Sequence, residues 1–190
     1  HLINQIDKES KLNNKIRGVA AIILVGLAYK NEKNFTIKGL ENLKKIIKYT
    51  IDDNGFPKSR NIKSSVFFLK YLILIREWFK ESQSEIPEFI DESIFNLGQS
   101  YAFFWENLGF DPLFNGNNIS NNQEFDIYLK RLGYSFKNND HEFSNYVSLK
   151  DKKINLIMDV GSPPNRKFSE EYQAGALSFE FVSNGKKIFT

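Results

Sequence analysis

The sequence predicts an α+β protein, with helices in the first half of the chain and strands in the second. Apolar residues recur at helical spacing up to about residue 107, whereas apolar–polar alternation and hairpin turns dominate after about residue 134. Of the 190 residues, 41% are hydrophobic and 15% aromatic, which is enough for a substantial core. Helices followed by strands indicate two domains, which we place at residues 1–120 and 121–190.

Four helices are predicted in the first domain, and their ends are set by capping and breaking residues. Ser10 is the expected N-cap of the first helix and Thr36 that of the second, and the Asn-Gly and Pro residues of segment 52–61 break the chain into a loop. Short connections favour antiparallel helical hairpins. The predicted helices cover residues 10–30, 36–52, 62–82 and 87–107.

The second domain is predicted to hold one short helix, at residues 124–133, and two β-hairpins. The segments "EFSNYVSL" and "KINLIMDV" flank the turn "KDKK", and "ALSFEFVS" is joined to "KKIFT" by Asn184-Gly185. In the last hairpin, Phe179 and Phe181 share one face of the strand, while Ser178 and Glu180 share the other. A half-buried strand with this alternation turns its polar face to water, so Glu180 is expected to be solvated.

Composition and motifs exclude several classes of function. The 26 basic and 23 acidic residues are interspersed and leave a net charge of +3, so no nucleic-acid partner is predicted. The apolar stretches 19–29 and 66–75 are shorter than the roughly 20 residues of a membrane span, so they indicate buried helices and no membrane insertion. The chain has no cysteine, only two histidines and no phosphate-binding glycine motif, so neither a metal site nor a cofactor is predicted.

The loop "GFPKSRN" is the first candidate binding site. It brings Lys58, Arg60 and Asn61 together at the end of a helix, where the cations can neutralise a carboxylate or sulfate and the amide can bind a hydroxyl group. The alternative, favoured by composition alone, is that Asn61 caps the third helix and the two cations are solvated. Tyr101 and Trp105 could form a sugar-stacking platform, but their helical spacing predicts core positions.

The order of several segments resembles the heparinase II/III-like family. These segments are "KLNNKIRGVAAIILVGLAY", "GLENLKKIIKYTIDDNGFPKSRN", "LFNGNN", "INLIMDVGSPPN" and "YQAGALSFEF". The resemblance implies the C-terminal part of an α/α toroid followed by the start of an antiparallel β-sandwich, with a cleft between them, and hence an excised part of a longer protein. It also implies β-elimination on uronic-acid polysaccharides by a periplasmic or secreted protein.

The resemblance fails at the positions where the family carries its proton-transfer groups. The histidine of the family's A-H-A-G strand falls on Gln173, which cannot exchange protons. The tyrosine that follows the loop falls near Ser64 or Ser65, and the loop histidine falls on Phe56. No catalytic residue is therefore predicted. The family positions that do match are Ser59, Arg60, Asn61, Asn115 and Glu180.

Three functional hypotheses follow. The first is a polysaccharide lyase-like protein whose partner is an acidic polysaccharide, sulfated or unsulfated, bound by Lys58, Arg60, Asn61, Asn115, Gln173 and Glu180. The second is a catalytically inactive glycan-binding or interaction protein on the same fold, which the replacement by Gln173 favours. The third is a helical interaction scaffold. Helix faces that neighbouring toroid hairpins would cover are also expected to favour self-association of this piece.

Overall fold

The computed structural model describes residues 6, 8–29, 33–108, 112–115, 123–170, 172–173, 175 and 177–189. The fold is α+β, as predicted, with five helices and five strands in these residues. The described chain divides into two compact units. The first comprises residues up to 51 together with 67–94, and the second comprises 52–66 together with residues from 95 onward. The predicted boundary between domains 1–120 and 121–190 stays a prediction.

The helices follow the predicted order. They are α1 (Leu12–Ala28), α2 (Lys33–Thr50), α3 (Ile62–Glu81), α4 (Glu88–Leu108) and α5 (Gln123–Arg131). Helices α3 and α4 each contribute residues to both units, whereas α1 and α2 belong wholly to the first. No helix among the described residues combines the length and the apolar character needed to cross a membrane.

In the first unit, α1 and α2 pack closely because glycines replace larger residues at their contact. A Cβ atom on Gly26 of α1 would lie 2.3 Å from the Thr36 hydroxyl, and one on Gly39 of α2 would lie 2.5 Å from Ile23. Such distances are far inside van der Waals contact, so only glycine allows the two backbones this approach. The buried side chains of α1 include Ile16, Val19 and Ile23, each with 1% or less of its surface exposed.

Two of the predicted helix caps are wrong. Helix α1 begins after Lys11, and the side chain of Ser10 does not cap it. Instead the Glu9 carboxylate accepts a hydrogen bond from the Lys11 amide at 2.8 Å. Thr36 lies inside α2, which begins at Lys33, because its side chain packs against Gly26. Close helix packing has therefore overridden the capping preference of threonine.

The second unit contains a five-stranded antiparallel sheet with its strands in chain order. The strands are β1 (Glu142–Phe143), β2 (Tyr146–Asp151), β3 (Ile154–Asp159), β4 (Phe179–Ser183) and β5 (Lys186–Phe189). Both predicted hairpins are present, with two-residue turns at Lys152-Lys153 and Asn184-Gly185. The connection between β3 and β4 is long and carries a short 3-10 helix, Arg166–Phe168.

One additional hairpin lies within the segment predicted as a single strand. Ser144 and Asn145 both have positive φ angles, 46° and 61°, and join β1 to β2 as a two-residue turn. Two consecutive residues in the left-handed region are characteristic of the tight turns that match the twist of a hairpin. This turn brings the Ser144 carbonyl group into the candidate site described below.

The burial of β4 is the reverse of the prediction. Glu180 and Val182 are buried, with 2% and 3% of their surfaces exposed, whereas Phe179 is 42% exposed. Glu180 is therefore not solvated. Its Oε1 accepts hydrogen bonds from the Leu113 backbone amide and, at 3.0 Å, from Lys187. These two partners compensate for moving the carboxylate out of water, so the polar face of the strand packs inward.

An aromatic core holds the second unit together. The ring of Tyr146, which is fully buried, lies 5.6 Å from Phe56, 4.9 Å from Phe104 and 5.5 Å from Phe114, measured between ring centroids. The contacts with Phe56 and Phe104 are edge-to-face, a geometry that adds stability beyond the burial of area alone. Tyr101 and Trp105 are also buried, so their predicted core positions are confirmed.

Candidate functional site

The loop between α2 and α3 is fixed by its own hydrogen bonds. The Asp52 Oδ1 atom accepts hydrogen bonds from the backbone amides of Asn54, at 3.0 Å, and Phe56, at 2.8 Å. Gly55 has a φ of 79°, and a Cβ atom there would lie 2.5 Å from the Cβ of Asn96. The sequence Asp-Asp-Asn-Gly therefore forms a tight turn that fixes the direction of the chain after Gly55. The turn places Phe56 in the core and directs the next residues toward the sheet.

Arg60 is the most constrained side chain of this loop. Its guanidinium group forms a 2.5 Å ion pair with Asp159 through Nη2 and donates a 3.1 Å hydrogen bond to the Ser144 carbonyl oxygen through Nη1. It also lies 4.6 Å from the ring centroid of Tyr146, in cation–π geometry. A Cβ atom on Gly161 would lie 2.6 Å from the guanidinium group. The absence of a side chain at Gly161 therefore provides the space that the guanidinium group of Arg60 occupies.

Asn115 completes a buried polar cluster, which we call the Arg60 cluster: Arg60, Asn115, Tyr146 and Asp159. The Asn115 amide nitrogen lies 2.7 Å from the Tyr146 hydroxyl, 3.1 Å from Asp159 Oδ2 and 3.3 Å from the Arg60 carbonyl oxygen. All four side chains are at least nine-tenths buried. The loop, the residue at the FNG turn and strands β2 and β3 are thus joined by one hydrogen-bond network.

Tyr146 is held neutral by its surroundings. Burial is the main cause that raises the pKa of its hydroxyl group above 10, and the neighbouring Asp159 carboxylate raises it further. Arg60 and the hydrogen bond from Asn115 act in the opposite direction but do not reverse the shift. Tyr146 therefore serves as a hydrogen-bonding and packing group in this state and is a poor source of a tyrosinate base.

A pocket of about 300 Å³ opens beside the Arg60 cluster. Its polar side chains include Lys58 and the guanidinium group of Arg60, and its apolar walls include two aromatic rings. Among the described residues, Arg60 Nε and Ser144 Oγ are buried without a hydrogen-bond partner. A pocket with rings, prolines, amides and cations has the composition expected of a site for a polar ring-shaped ligand with a negative charge. It is lined by Asp52, Phe56, Pro57, Lys58, Arg60, Ser144, Asn145, Pro164, Asn165 and Phe168.

Only some of the site residues predicted from the sequence line the pocket or contact a residue that does. Lys58 and Arg60 line the pocket, and Asn115 contacts Arg60. Asn61 is buried, and its Oδ1 accepts a hydrogen bond from the Lys63 amide at 3.0 Å, so it caps α3 as the alternative reading expected. Glu180 contacts Leu113 and Lys187 and is not among the residues that line the pocket. The role of each in substrate binding stays a prediction.

Gln173 is exposed and lies in the segment that approaches Asn115. A Cβ atom on Gly175 would lie 2.9 Å from Asn115 Oδ1, 3.2 Å from the Ser178 hydroxyl and 3.5 Å from the Gln173 carbonyl oxygen. The backbone of this segment therefore passes directly against Asn115, and only glycine permits it. Gln173 itself does not line the pocket.

Sequence reasoning missed two members of the Arg60 cluster, Tyr146 and Asp159, and three pocket residues of the β3–β4 connection, Pro164, Asn165 and Phe168. An acidic residue at the end of the apolar segment "INLIMD", just before Gly161, was a usable signal, since a buried strand end with a carboxylate needs a cationic partner. Tyr146 lies in a strand with ordinary apolar–polar alternation, so its sequence context did not indicate a place in a polar cluster. In the described part of the chain, no group of three or more His, Cys, Asp or Glu side chains could hold a metal ion.

Residues 137–190 match the family model described as heparinase II/III-like, C-terminal. Over these residues the chain is similar to the C-terminal part of heparinase II/III-like proteins. The predicted resemblance is thereby confirmed, and the heparinase II/III-like segment includes every strand of the sheet together with Tyr146 and Asp159. No curated protein matches the chain in a sequence comparison.

Solved heparinase structures share the fold of nearly the whole chain. A crystal structure of heparinase III aligns with a TM-score of 0.72 at 14% identity, covering 94% of this chain and 34% of that one. Heparan sulfate lyase HepC from Pedobacter heparinus gives 0.74 at 12% identity, with 97% and 33% covered. The heparinase III BT4657 gene product gives 0.75 at 14%, with 95% and 32% covered. The chain thus spans about a third of the length of these structures.

Proposed function

We propose that this heparinase II/III-like chain takes part in β-elimination on uronic-acid-containing glycans, some of them sulfated, and that the pocket beside the Arg60 cluster holds one acidic sugar. The observation that carries the proposal is the pocket itself, in which Lys58 and Arg60 meet the rings of Phe56 and Phe168. Elimination places negative charge on the sugar carboxylate, and cationic or hydrogen-bonding groups near that carboxylate stabilise it.

Within the pocket, we assign charge neutralisation chiefly to Lys58. The guanidinium group of Arg60 is buried and held in place by Asp159, so it contributes a charge at a fixed position. Lys58 is half-buried, and an ammonium on a flexible stem can follow a carboxylate or sulfate. Among the aromatic and proline residues that line the pocket, Phe168 and Pro164 are half-buried and offer apolar surface to a sugar ring, whereas Phe56 and Pro57 are buried.

The architecture implied by the family accompanies this proposal. We infer that helices α1 to α4 belong to an α/α toroid and that the sheet is one layer of a β-sandwich. The support for the second inference is the apolar face of the sheet that carries Leu149 and Phe179, which are 59% and 42% exposed. Large apolar side chains grouped on one sheet face are what a covering layer buries.

A second candidate function is a catalytically inactive glycan-binding protein on the same fold. The observation that favours it is Gln173, an exposed amide at the position where the resemblance places a histidine. An amide can bind hydroxyl groups but cannot act as a general acid or base. The same pocket would then bind an acidic sugar without breaking the glycosidic bond.

The test uses the full-length protein and a panel of uronate-containing polysaccharides, sulfated and unsulfated. Formation of the unsaturated uronate is followed by its ultraviolet absorbance, and binding is followed by calorimetry. We expect Lys58→Gln to lower kcat/KM by about tenfold to a hundredfold, because it removes a charge next to the developing carboxylate charge.

Lys153→Gln, which alters an exposed lysine of the β2–β3 turn, is the matched control and should leave kcat/KM within a factor of two. Binding that depends on Lys58 without any elimination would establish the inactive glycan-binding function instead. If neither elimination nor binding depends on Lys58, the pocket is not the sugar site and the proposal is wrong.

A further inference from the structure

If the pocket supports elimination, it needs a side chain that can transfer a proton. Few of the residues that line it have a side chain of this kind. Asp52 is the one carboxyl group among the described lining residues, and no histidine or tyrosine lines the pocket. Tyr146, behind the pocket, has a buried hydroxyl engaged by Asn115. Asp159 is fully buried and paired with Arg60.

We infer that Asp52 is the general base of this pocket, a residue to which the sequence resemblance assigns no role. The inference rests on the proposed function and deepens it, since it supplies the proton transfer that Gln173, Phe56 and the serines near residue 64 cannot provide. A base must be oriented toward the bound sugar and within hydrogen-bonding reach of it.

The geometry of the loop orients the Asp52 side chain. Both of its backbone hydrogen bonds, from the amides of Asn54 and Phe56, go to the same oxygen, Oδ1. These bonds fix the rotamer of the side chain and leave Oδ2 outside them. Asp52 is half-buried and shares the pocket with Lys58, so the carboxylate and the proposed sugar carboxylate site lie on the same cavity.

The charges around Asp52 are mixed. Burial is the main cause that raises the pKa of its carboxyl group above 3.8, and the neighbouring Asp53 raises it further. The two backbone hydrogen bonds and the charge of Lys58 lower it. Arg60 on the same loop is paired with Asp159, and Arg166 and Lys167 are exposed on the 3-10 helix whose Phe168 lines the pocket. A carboxylate that binds a proton more tightly than usual is a better base near neutral pH.

The step is balanced without any co-reactant. The ionised Asp52 removes the proton bonded to the carbon beside the sugar carboxylate, and that electron pair becomes the new carbon–carbon double bond. The bond from the next ring carbon to the glycosidic oxygen breaks, and the departing oxygen receives a proton from the now neutral Asp52 carboxyl group. The products are an unsaturated uronate and a sugar with a free hydroxyl group, and Asp52 is again ionised.

The experiment is Asp52→Asn in the full-length protein, with Asp151→Asn as the matched control on an exposed aspartate at the end of β2. Asparagine keeps an Oδ1 acceptor for both backbone amides, so the loop hydrogen bonds are preserved. We expect Asp52→Asn to lower kcat by about 100-fold or more while the affinity for the polysaccharide changes less than threefold, as loss of a general base does. Asp151→Asn should keep kcat within a factor of two, because Asp151 does not line the pocket.

A pH profile separates a catalytic role from a structural one. The kcat/KM of the unaltered protein should fall on the acid side as Asp52 becomes protonated, and Asp52→Glu should shift that limb while keeping measurable activity. If Asp52→Asn retains kcat within threefold while Lys58→Gln loses it, Asp52 is not the base although the proposed function stands. If the unaltered protein eliminates none of the polysaccharides, both inferences are wrong. An Asp52→Asn protein that unfolds leaves the decision to the Asp52→Glu profile, in which an unmoved acid limb overturns the proposal.

Discussion

At the scale of single residues, Arg60 combines a structural role with a place in the candidate site. Its φ of 59° is unfavourable for a residue with a side chain and costs on the order of 1–3 kcal/mol. The ion pair with Asp159 and the hydrogen bond to Ser144 hold the residue in that conformation. The sequence predicted Arg60 as a site residue but could not predict its partner, because Asp159 lies 99 positions further along the chain.

The first prediction concerns this buried pair. Arg60→Ala and Asp159→Asn should each lower the free energy of unfolding by about 3–5 kcal/mol, because each leaves an uncompensated charge or polar group in the core. Urea denaturation measures the change. Arg166→Ala, which removes an exposed arginine, should change the free energy of unfolding by less than about 0.5 kcal/mol. A loss below about 1 kcal/mol in both pair variants would contradict the assignment of the pair as a structural element.

At the scale of elements, helices were easier to predict than turns. Apolar spacing gave four helices whose limits agree with the structure to within a few residues, since each buries one continuous stripe. The turn at Asn184-Gly185 was predicted because this dipeptide favours positive φ, whereas the equivalent turn at Ser144-Asn145 was missed because serine carries no such signal. At Ser144-Asn145 a tertiary contact stabilises the turn, since the Ser144 carbonyl oxygen accepts a hydrogen bond from Arg60.

The turns also allow backbone strain to be separated from steric overlap. Gly185 and Gly133 have φ angles of 74° and 77°, and a Cβ atom on either would meet no atom within 4 Å. Gly185→Ala and Gly133→Ala should therefore cost only the left-handed conformation, about 1–2 kcal/mol each. Gly55→Ala should cost more, because its Cβ would also lie 2.5 Å from Asn96. Thermal and urea unfolding of the three variants gives the comparison, and equal losses at all three positions would show that Gly55 is not sterically restricted.

At the scale of the whole molecule, the sequence specified the fold class and the family better than it specified the site. Composition, periodicity and segment order are spread along the chain, so errors at single positions do not change them. The pocket, by contrast, combines residues from three separate stretches, around 52–60, 144–145 and 164–168. Which side chains meet there depends on the register of β2 and β3 and on the path of the β3–β4 connection, and neither can be read from local pattern.

The stability of the folded chain should carry a pH dependence that originates at Glu180. Two effects oppose each other there: burial raises the pKa of the carboxyl group, while the Leu113 amide and Lys187 lower it, and burial prevails. A carboxyl group whose pKa in the folded state lies above its ordinary 4.5 binds a proton more tightly when folded. Its contribution to stability is therefore complete below about pH 4.5 and is lost as the pH rises through the pKa of the folded state.

Glu180→Gln isolates this contribution, because glutamine keeps an oxygen acceptor for the Leu113 amide but does not titrate. We expect the free energy of unfolding of the unaltered protein, minus that of Glu180→Gln, to fall as the pH rises above 4.5 and to level off once Glu180 is ionised in both states. Urea denaturation of the two proteins between pH 4 and pH 8 measures this difference, and other titrating groups cancel between them. A difference that rises with pH would mean that Lys187 and Leu113 outweigh burial, and the pKa of Glu180 would then lie below its ordinary value.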